Sequence, residues 1–425
     1  MITLIKNGYV IDPATGTEGK YDVLIEDGLI KSVEQEINVN ADEVIDAADK
    51  YVMPGFIDLH VHLREPGFEY KETIKTGAMS AAAGGYTTIC PMPNTNPVID
   101  SKEMVEYLLT KAKEDSVVNI IPIGAVTIGQ MGKELADIKG MASAGVLAIS
   151  EDGKSVMDVN LYVEGMKAAK EAGIAVFAHC EDKVLVRGGC MNAGKKAEEL
   201  GFNGITNAVE DVITARDIFL AKETGVSLHL CHCSTSDSVR LVQMAKEMGL
   251  PVTAEVCPHH FTMSDDEIPG DDADYKMNPP LRSKMDVDAL KEGLKNNIMD
   301  VIATDHAPHG EEEKKRSMKS APFGIVGLET AFALTMTELV NKGYLTPMQM
   351  VEKMSYNPAK VLGIDKGSLA PGKVADVVIA DPKASYKIDK NTFLSKGKNT
   401  PFHGKEVVGK VVLTMVNGNI VFENK

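Results

Sequence analysis

The chain has 425 residues, 44% of them hydrophobic, with 37 glycines, 19 prolines and a formal net charge of −16. That length suits one large domain with a smaller companion, and the acidic balance argues against a polyanionic partner such as nucleic acid while leaving room for a local small-anion site. The opening MITLIKNGYVID has no basic segment before a long apolar run, so neither a secretory leader nor a membrane span is expected, and six cysteines make no dense disulfide framework, which points to a reducing cytoplasm.

The first fifty residues read as short strands. TLIKNGYVID, YDVLIEDGLIKSVE and ADEVIDAADKYV are broken by NG, DG and a PATG turn. The last sixty read alike, through GSLAPGKVADVVIADP and VVGKVVLTMVNGNIVFEN. Between them, short apolar runs alternate with stretches of helical period. Strands are expected at 56–62, 86–90, 118–123, 146–150, 175–179, 227–232, 252–256 and 300–304. Helices are expected at 72–83, 102–114, 160–172, 209–223 and 236–248. Repeated βα units predict an α/β fold, a (β/α)8 TIM-type barrel over residues 55–365. Residues 1–54 and 366–425 are each too short to close a core alone and are expected to form one small β-sandwich together.

In such a barrel the site forms at the carboxyl ends of the strands. That is where the ionisable residues fall. His60, His62 and Arg64 end the first strand; Glu151 and Asp152 follow the fourth; His179 ends the fifth, His232 the sixth, and Asp305 and His306 follow the eighth. Residues two apart share a face, so His60 and His62 point one way, while Leu59, Val61 and Leu63 are expected to pack outward. If Leu230 and His232 face the interior, then His229, Cys231 and Cys233 face the helices, and Cys180 turns away likewise. This weighs against CHCS as a zinc motif, and a lone C-x-C is weak in any case. One histidine at a strand end is more often a satisfied polar group than a ligand. So many ionisable groups at one end would be costly to bury without a metal. Imidazole and carboxylate donors suit Zn2+, or Mn2+ and Co2+.

Other polar residues have plainer readings. His259 and His260 in AEVCPHH are adjacent, would point apart on an extended chain, and are taken as structural. His403 reads as polar surface. HGEEEKKRSMKSAPFG reads as a solvated, mobile loop, although its place over the site permits a lid across 306–320.

HVH on the first strand, single histidines ending the fifth and sixth, TDHAPH on the eighth and LAPGKVADVVIAD near the end resemble the amidohydrolase superfamily. DLHVHLREPG, PMPNTNP, ISEDGKS, AEVCPHH, MNPPLR and ATDHAPH together resemble the type I dihydroorotases, over essentially the whole chain. The resemblance implies reversible interconversion of N-carbamoyl-L-aspartate and L-dihydroorotate in pyrimidine (UMP) synthesis. It implies one or two Zn2+ ions. His60, His62 and Asp305 are expected on one, His179 and His232 on a second, and Asp152 between them. Several relatives, hydantoinases among them, bridge with a carboxylated lysine. Lys154 is the less favoured bridge here, and the shorter aspartate leaves occupancy of the second site open. Asp305 is expected to shuttle the proton. Arg64, Asn94 and His309 are expected to hold the substrate carboxylate, Asn278 to contact the ring, and Phe323 and Gly324 to offer it backbone groups. On residue pattern alone, Asn94 and Asn278 read as turn asparagines beside proline. The expected partner is a small-molecule substrate, with no nucleic acid and no membrane. A homodimer is expected, and association with an aspartate transcarbamoylase stays open. The competing readings are a hydantoinase or allantoinase, and a non-catalytic scaffold subunit, which would be expected to have lost its ligands.

Overall fold

Two-residue turns shape both ends of the chain. Asp27–Gly28 and Asn417–Gly418 each hold two successive residues at positive φ, the conformation that a tight hairpin requires. The computed structural model describes residues 1–424. In chain order the strands are β1 (Ile2–Asp12), β2 (Thr17–Glu26), β3 (Leu29–Glu34), β4 (Glu43–Asp46), β5 (Tyr51–Pro54), β6 (Phe56–Val61), β7 (Tyr86–Pro91), β8 (Asn119–Ile120), β9 (Gly124–Ala125), β10 (Ala148–Ser150), β11 (Ala175–Ala178), β12 (Met191–Asn192), β13 (Gly204–Ile205), β14 (Leu228–Leu230), β15 (Val252–Val256), β16 (Val301–Ile302), β17 (Val377–Lys387), β18 (Glu406–Val416) and β19 (Asn419–Glu423).

β5 pairs antiparallel with β17, placing Val52 opposite Ile379. The two chain ends therefore share one eight-stranded sheet, ordered β19-β18-β17-β5-β1-β2-β3 with β4 beside β1. Its own core joins Ile5, Val10 and Val23 from one end to Val377, Leu413 and Met415 from the other.

The middle of the chain is α/β with parallel pairing. One six-stranded sheet runs β16-β15-β14-β11-β10-β9, and a three-stranded sheet runs β6-β7-β8. Helices Ile74–Ala83, Lys102–Asp115, Val159–Ala172, Ala208–Thr224, Ser236–Glu247 and Lys284–Lys295 lie between the strands. Local chemistry sets their starts. Thr73, Ser101, Asp158, Thr235 and Ser283 each accept a first-turn backbone N–H. Gly173 and Gly225 end two of them in the left-handed conformation.

Two apolar clusters separate the faces of the parallel strands. Ile57, Leu59, Cys90, Ile123, Ala148, Phe177, Cys231 and Val301 meet in one. Side chains from both parallel sheets meet there, so it marks the inner side that the two sheets share. Val61, Leu63, Val176, Leu230 and Ile302 pack with the helices in the other. This corrects the expected orientations. Leu59 faces inward, not outward, and Leu230 faces the helices. His229 turns inward with Cys231, its ring 4.9 Å from that of Phe177. Strict alternation fails for two physical reasons. The register of β6 shifts between Asp58 and Val61, where Asp58 Oδ1 accepts the His60 N–H. Beyond β14, His232 sits at φ +35°, which re-aims its side chain. The ground for setting Cys231 aside, that it faces the helices, does not hold. Cys180 and Cys233 do pack on the helix side.

Candidate active site

The carboxyl ends of β6, β10, β11 and β14, with the turn after β16, bring the strand-end histidines and two aspartates together. Asp152 is central. Its Oδ1 lies 3.2 Å from His60 Nε2, 3.5 Å from His179 Nδ1 and 3.8 Å from His232 Nε2, and its Oδ2 lies 3.6 Å from His62 Nε2. Asp305 Oδ1 lies 3.1 Å from His62 Nε2 and 3.6 Å from His60 Nε2. All of these side chains are buried. The other carboxylate after β10, Glu151, is turned away, accepting from Thr127 Oγ1 and from the N–H groups of Val126 and Thr127. Lys154 also points elsewhere, donating to the Gln130 carbonyl at 3.2 Å.

The charges in this cluster ask for a cation. Burial alone would lower the His60 imidazole, yet Asp152 beside it carries it well above its usual range. His179, also opposed by burial, is lifted to about 10 by Asp152 and Glu181. Against burial, His60 and its neighbours hold Asp152 well below the carboxylate range, and His62 and His60 hold Asp305 at about 2. Protons on imidazole here stand where a divalent ion would supply the same positive charge. Buried His60 Nε2 has no aligned hydrogen-bond partner, which is costly unless something else binds it, while His179 Nδ1 and His232 Nε2, the nitrogens turned to Asp152, lie 2.8 Å from each other. Donor atoms of His60, His62 and Asp305, and of His60, Asp152 and His232, lie within 4.8 Å of one another. Nitrogen and carboxylate donors in that arrangement fit a borderline divalent metal.

A surrounding layer fixes these groups. Asn94 spans two of them, its Oδ1 2.9 Å from His62 Nδ1 and its Nδ2 3.1 Å from Asp152 Oδ2. Glu255 was not among the residues expected here. Its Oε1 lies 3.0 Å from His60 Nδ1 and accepts the His232 N–H at 3.1 Å, and its Oε2 lies 3.0 Å from His229 Nε2. The sequence signal was a lone glutamate inside the apolar run of β15, on the side that the sheets enclose.

Every residue expected in the site, except His60 beneath it, lines one cavity of about 190 Å3. That is smaller than the roughly 300–1,000 Å3 typical of drug-sized ligands and suits a small ring. Arg64 and His309 line the same cavity. Arg64 Nε donates to Pro308 O at 3.1 Å, and Nη2 lies 3.3 Å from His309 Nε2. His309 Nε2–H donates to Phe323 O at 2.7 Å and Nδ1 faces Lys71 Nζ at 3.3 Å, while burial and then Arg64 push its pKa down, so the ring is neutral. Asn278 donates to Glu181 Oε2. Phe323 and Gly324 complete the wall.

Two expectations are corrected. His259 and His260 lie in a short helix, Pro258–Thr262, not on extended chain, with ring centroids 4.2 Å apart. Donor atoms of Cys257, His259 and His260 therefore do approach within 4.8 Å. Both imidazoles are pushed down by burial, His260 donates Nε2–H to Pro279 O at 2.9 Å, and neither lines the cavity. The charged segment after β16 is packed, not solvated throughout. Lys314 is buried, and its Nζ donates to the carbonyls of Lys276, Pro322 and Gly324. Met318 joins an apolar cluster with Met277, Leu281 and Phe402. A run of charge hides these two anchors. His403 is half-exposed.

Comparison with known proteins adds a family. A dihydro-orotase-like family model matches residues 49–238. The chain is 48% identical over 422 residues to a dihydroorotase of Acetivibrio thermocellus, covering 99% of each, and 49% identical over 425 residues to a dihydroorotase of Pelotomaculum thermopropionicum, covering 100% of this chain and 99% of the relative. Among solved structures, L-hydantoinase (dihydropyrimidinase) from Arthrobacter aurescens superposes with a TM-score of 0.87 at 28% identity, over 99% of this chain and 96% of that one. Dihydropyrimidinase from Brevibacillus agri NCHU1002 gives 0.88 at 26% identity, over 100% and 96%.

Proposed function

The chain belongs to the dihydroorotase family and is a cyclic amide hydrolase, and from that premise we propose how its residues interconvert N-carbamoyl-L-aspartate and L-dihydroorotate in the making of pyrimidines. One observation carries the reading: a cation-demanding cluster around Asp152 and the guanidinium of Arg64, beside His309, line one small cavity.

We read the two parallel sheets as a (β/α)8 barrel over residues 55–365, beside a β domain built from 1–54 and 366–425. Supporting this, β8 and β9 lie on one short stretch of chain that serves both sheets, and Val61 bridges His306, joining the first strand to the last. Among the described residues no helix is long and apolar enough to cross a membrane. All six cysteines are unpaired thiols, which supports a reducing compartment.

His60, His62 and Asp305 would hold one Zn2+ ion, His179 and His232 a second, with Asp152 between them. Bound there, zinc lowers the pKa of water toward neutrality and polarises an amide carbonyl. Glu255 accepts the His60 Nδ1–H, leaving the Nε2 lone pair for the metal. Arg64 and His309, with Asn94, bind the substrate's unreactive carboxylate. Asn278 and the backbone at Phe323 and Gly324 orient the ring. In ring opening, Asp305 takes the proton of the attacking water and delivers it to the departing nitrogen; ring closure reverses both transfers.

Hydantoinases resemble this chain in fold, but a substrate without a carboxylate leaves Arg64 and His309 with nothing to bind. Ring opening is to be assayed on dihydroorotate, hydantoin and allantoin with zinc-loaded protein. Turnover of dihydroorotate is expected. Turnover of hydantoin or allantoin alone would overturn the substrate assignment.

A further inference from the structure

Between β17 and β18 the chain leaves the terminal sheet and crosses the parallel strands. Two carboxylates pin this crossing, Glu72 buried and Glu329 half-buried. Glu329 accepts the N–H groups of Leu394 at 2.8 Å and Ser395 at 3.1 Å. Glu72 accepts from Ser395 Oγ and from the Lys396 N–H at 3.3 Å. Glu72 Oε2 also lies 3.4 Å from the ring of His306, the neighbour of Asp305.

The segment so held delivers Asn399, which is 4% exposed, to His309 and Gly324 in the wall of the cavity. Asn399 Nδ2 donates to Ala307 O and to Gly324 O, each at 3.0 Å. Its Oδ1 accepts the His309 N–H at 3.1 Å. Its backbone carbonyl accepts the Val326 N–H at 2.9 Å. Both amide hydrogens and the amide oxygen are thus spent on two loops, one carrying His309 and the other Phe323 and Gly324. His309 Nε2–H in turn donates to Phe323 O. These loops are about fifteen residues apart in sequence, and Asn399 ties them together from a third segment.

We infer that Asn399 is a positioning residue for substrate binding. It sets the distance between His309 and the Phe323–Gly324 backbone, and so the fit of a carboxylate-bearing ring, without touching the substrate itself. A residue that merely stitched the C-terminal segment to the rest would change stability alone. A residue that positions the carboxylate site changes the affinity for substrate. The inference rests on the reading of His309 as a carboxylate partner, so the two are tested side by side.

Asn399→Asp keeps an acceptor for the His309 N–H and replaces the donor by oxygen facing two carbonyls. Asn399→Ser keeps one donor and is the second variant should the aspartate fail to fold. On zinc-loaded protein, KM for dihydroorotate is expected to rise about tenfold in Asn399→Asp, the worth of one buried hydrogen bond, and by a larger factor than kcat falls. Asn399→Ser is expected to show a smaller rise in KM. His309→Ala, measured in parallel, is expected to raise KM as well. If His309→Ala raises KM while the folded Asn399 variants stay within about twofold of the parent, whatever their melting temperatures, Asn399 is structural and the inference fails while the carboxylate reading stands. If His309→Ala leaves KM unmoved, the carboxylate reading itself fails, and the inference with it.

Discussion

Glu255→Gln is the sharpest test of the layer beneath the candidate metal site. Glu255 is fully buried, and burial works to raise its pKa, yet His229 and His60 hold it below the usual carboxylate range. It meets three donors: His60 Nδ1, the His232 N–H and His229 Nε2. Glutamine keeps one oxygen, enough for His60 and the His232 N–H if it sits as Oε1 does. Its amide then faces His229, which can answer by changing tautomer and donating Nδ1–H to Thr253 Oγ1, 2.8 Å away. What is lost is charge assistance on two bonds. Bonds to charged groups contribute about 1.5–3 kcal/mol against about 0.5–1.5 for neutral ones, so the variant loses roughly 2 kcal/mol of stability, read as a lower melting temperature. Weaker orientation of His60 lowers zinc affinity by about 10–100-fold. Competition with a chromogenic chelator reads the affinity directly. Glu255→Leu orphans all three donors and is expected to cost about 3–5 kcal/mol. A Glu255→Gln protein holding zinc within twofold of the parent would refute the idea that Glu255 orients His60.

Arg64→Met is expected to raise KM for dihydroorotate by about 10–100-fold, since one charged hydrogen-bonding partner of the substrate carboxylate is gone; steady-state kinetics check it, and an unchanged KM removes Arg64 from the site. Asp305→Ala is expected to cut turnover by at least about 100-fold with the circular dichroism spectrum of a folded protein, and near-parental turnover would end the proton-shuttle role. Lys353 is buried, its Nζ bound by Asn297 Oδ1 and Met299 O, and burial pulls its pKa from 10.5 to about 8. Between those values the unfolded chain holds the extra proton, so stability from this group rises as pH climbs from 8 to 10.5. Lys353→Met lacks that gain, and its stability relative to the parent is expected to fall by about 3 kcal/mol between pH 7 and 10.5 in urea unfolding. A pH-independent difference would show that Lys353 is protonated in both states.

The strand ends carrying His60, Asp152, His179 and His232 were legible because a strand buried on both faces has no routine use for an ionisable side chain. The αβ alternation was legible from period. Glu255 was not, since one glutamate in AEV reads like any half-buried strand position until the strand proves to be enclosed. Asn399 was not, since its segment has no apolar period, and nothing local says that it crosses to strands formed by residues 56–61 and 301–302. Lys314 was masked by EEEKKR, in which every position reads as solvated. Only three-dimensional placement shows one lysine ringed by carbonyls, with burial pulling its pKa to about 8.

The orientation errors share one cause, and it bears on how such a site is built. A strand with period two offers one enclosed residue in every pair. Here the enclosed face must supply an apolar layer, with Leu59 and Cys231, and directly above it a polar one, with His60 and His232. In each pair the two residues are adjacent in sequence, so an unbroken strand would send one of them to the helices. The chain resolves this by breaking its own regularity where the layers meet. The register of β6 shifts between Asp58 and Val61, and His232, Asp305 and Arg64 take φ values of +35°, +47° and +61°. Such conformations cost about 1–3 kcal/mol each for non-glycine residues and persist only where the surroundings determine them. The determinants are visible: Asp58 holds the His60 N–H, Glu255 holds the His232 N–H, and the Arg64 side chain is fixed on Pro308 O. Backbone strain at the site and the buried carboxylates beneath it are thus two halves of one device, which is why spacing picked out the strand-end histidines but misjudged the residues packed between them.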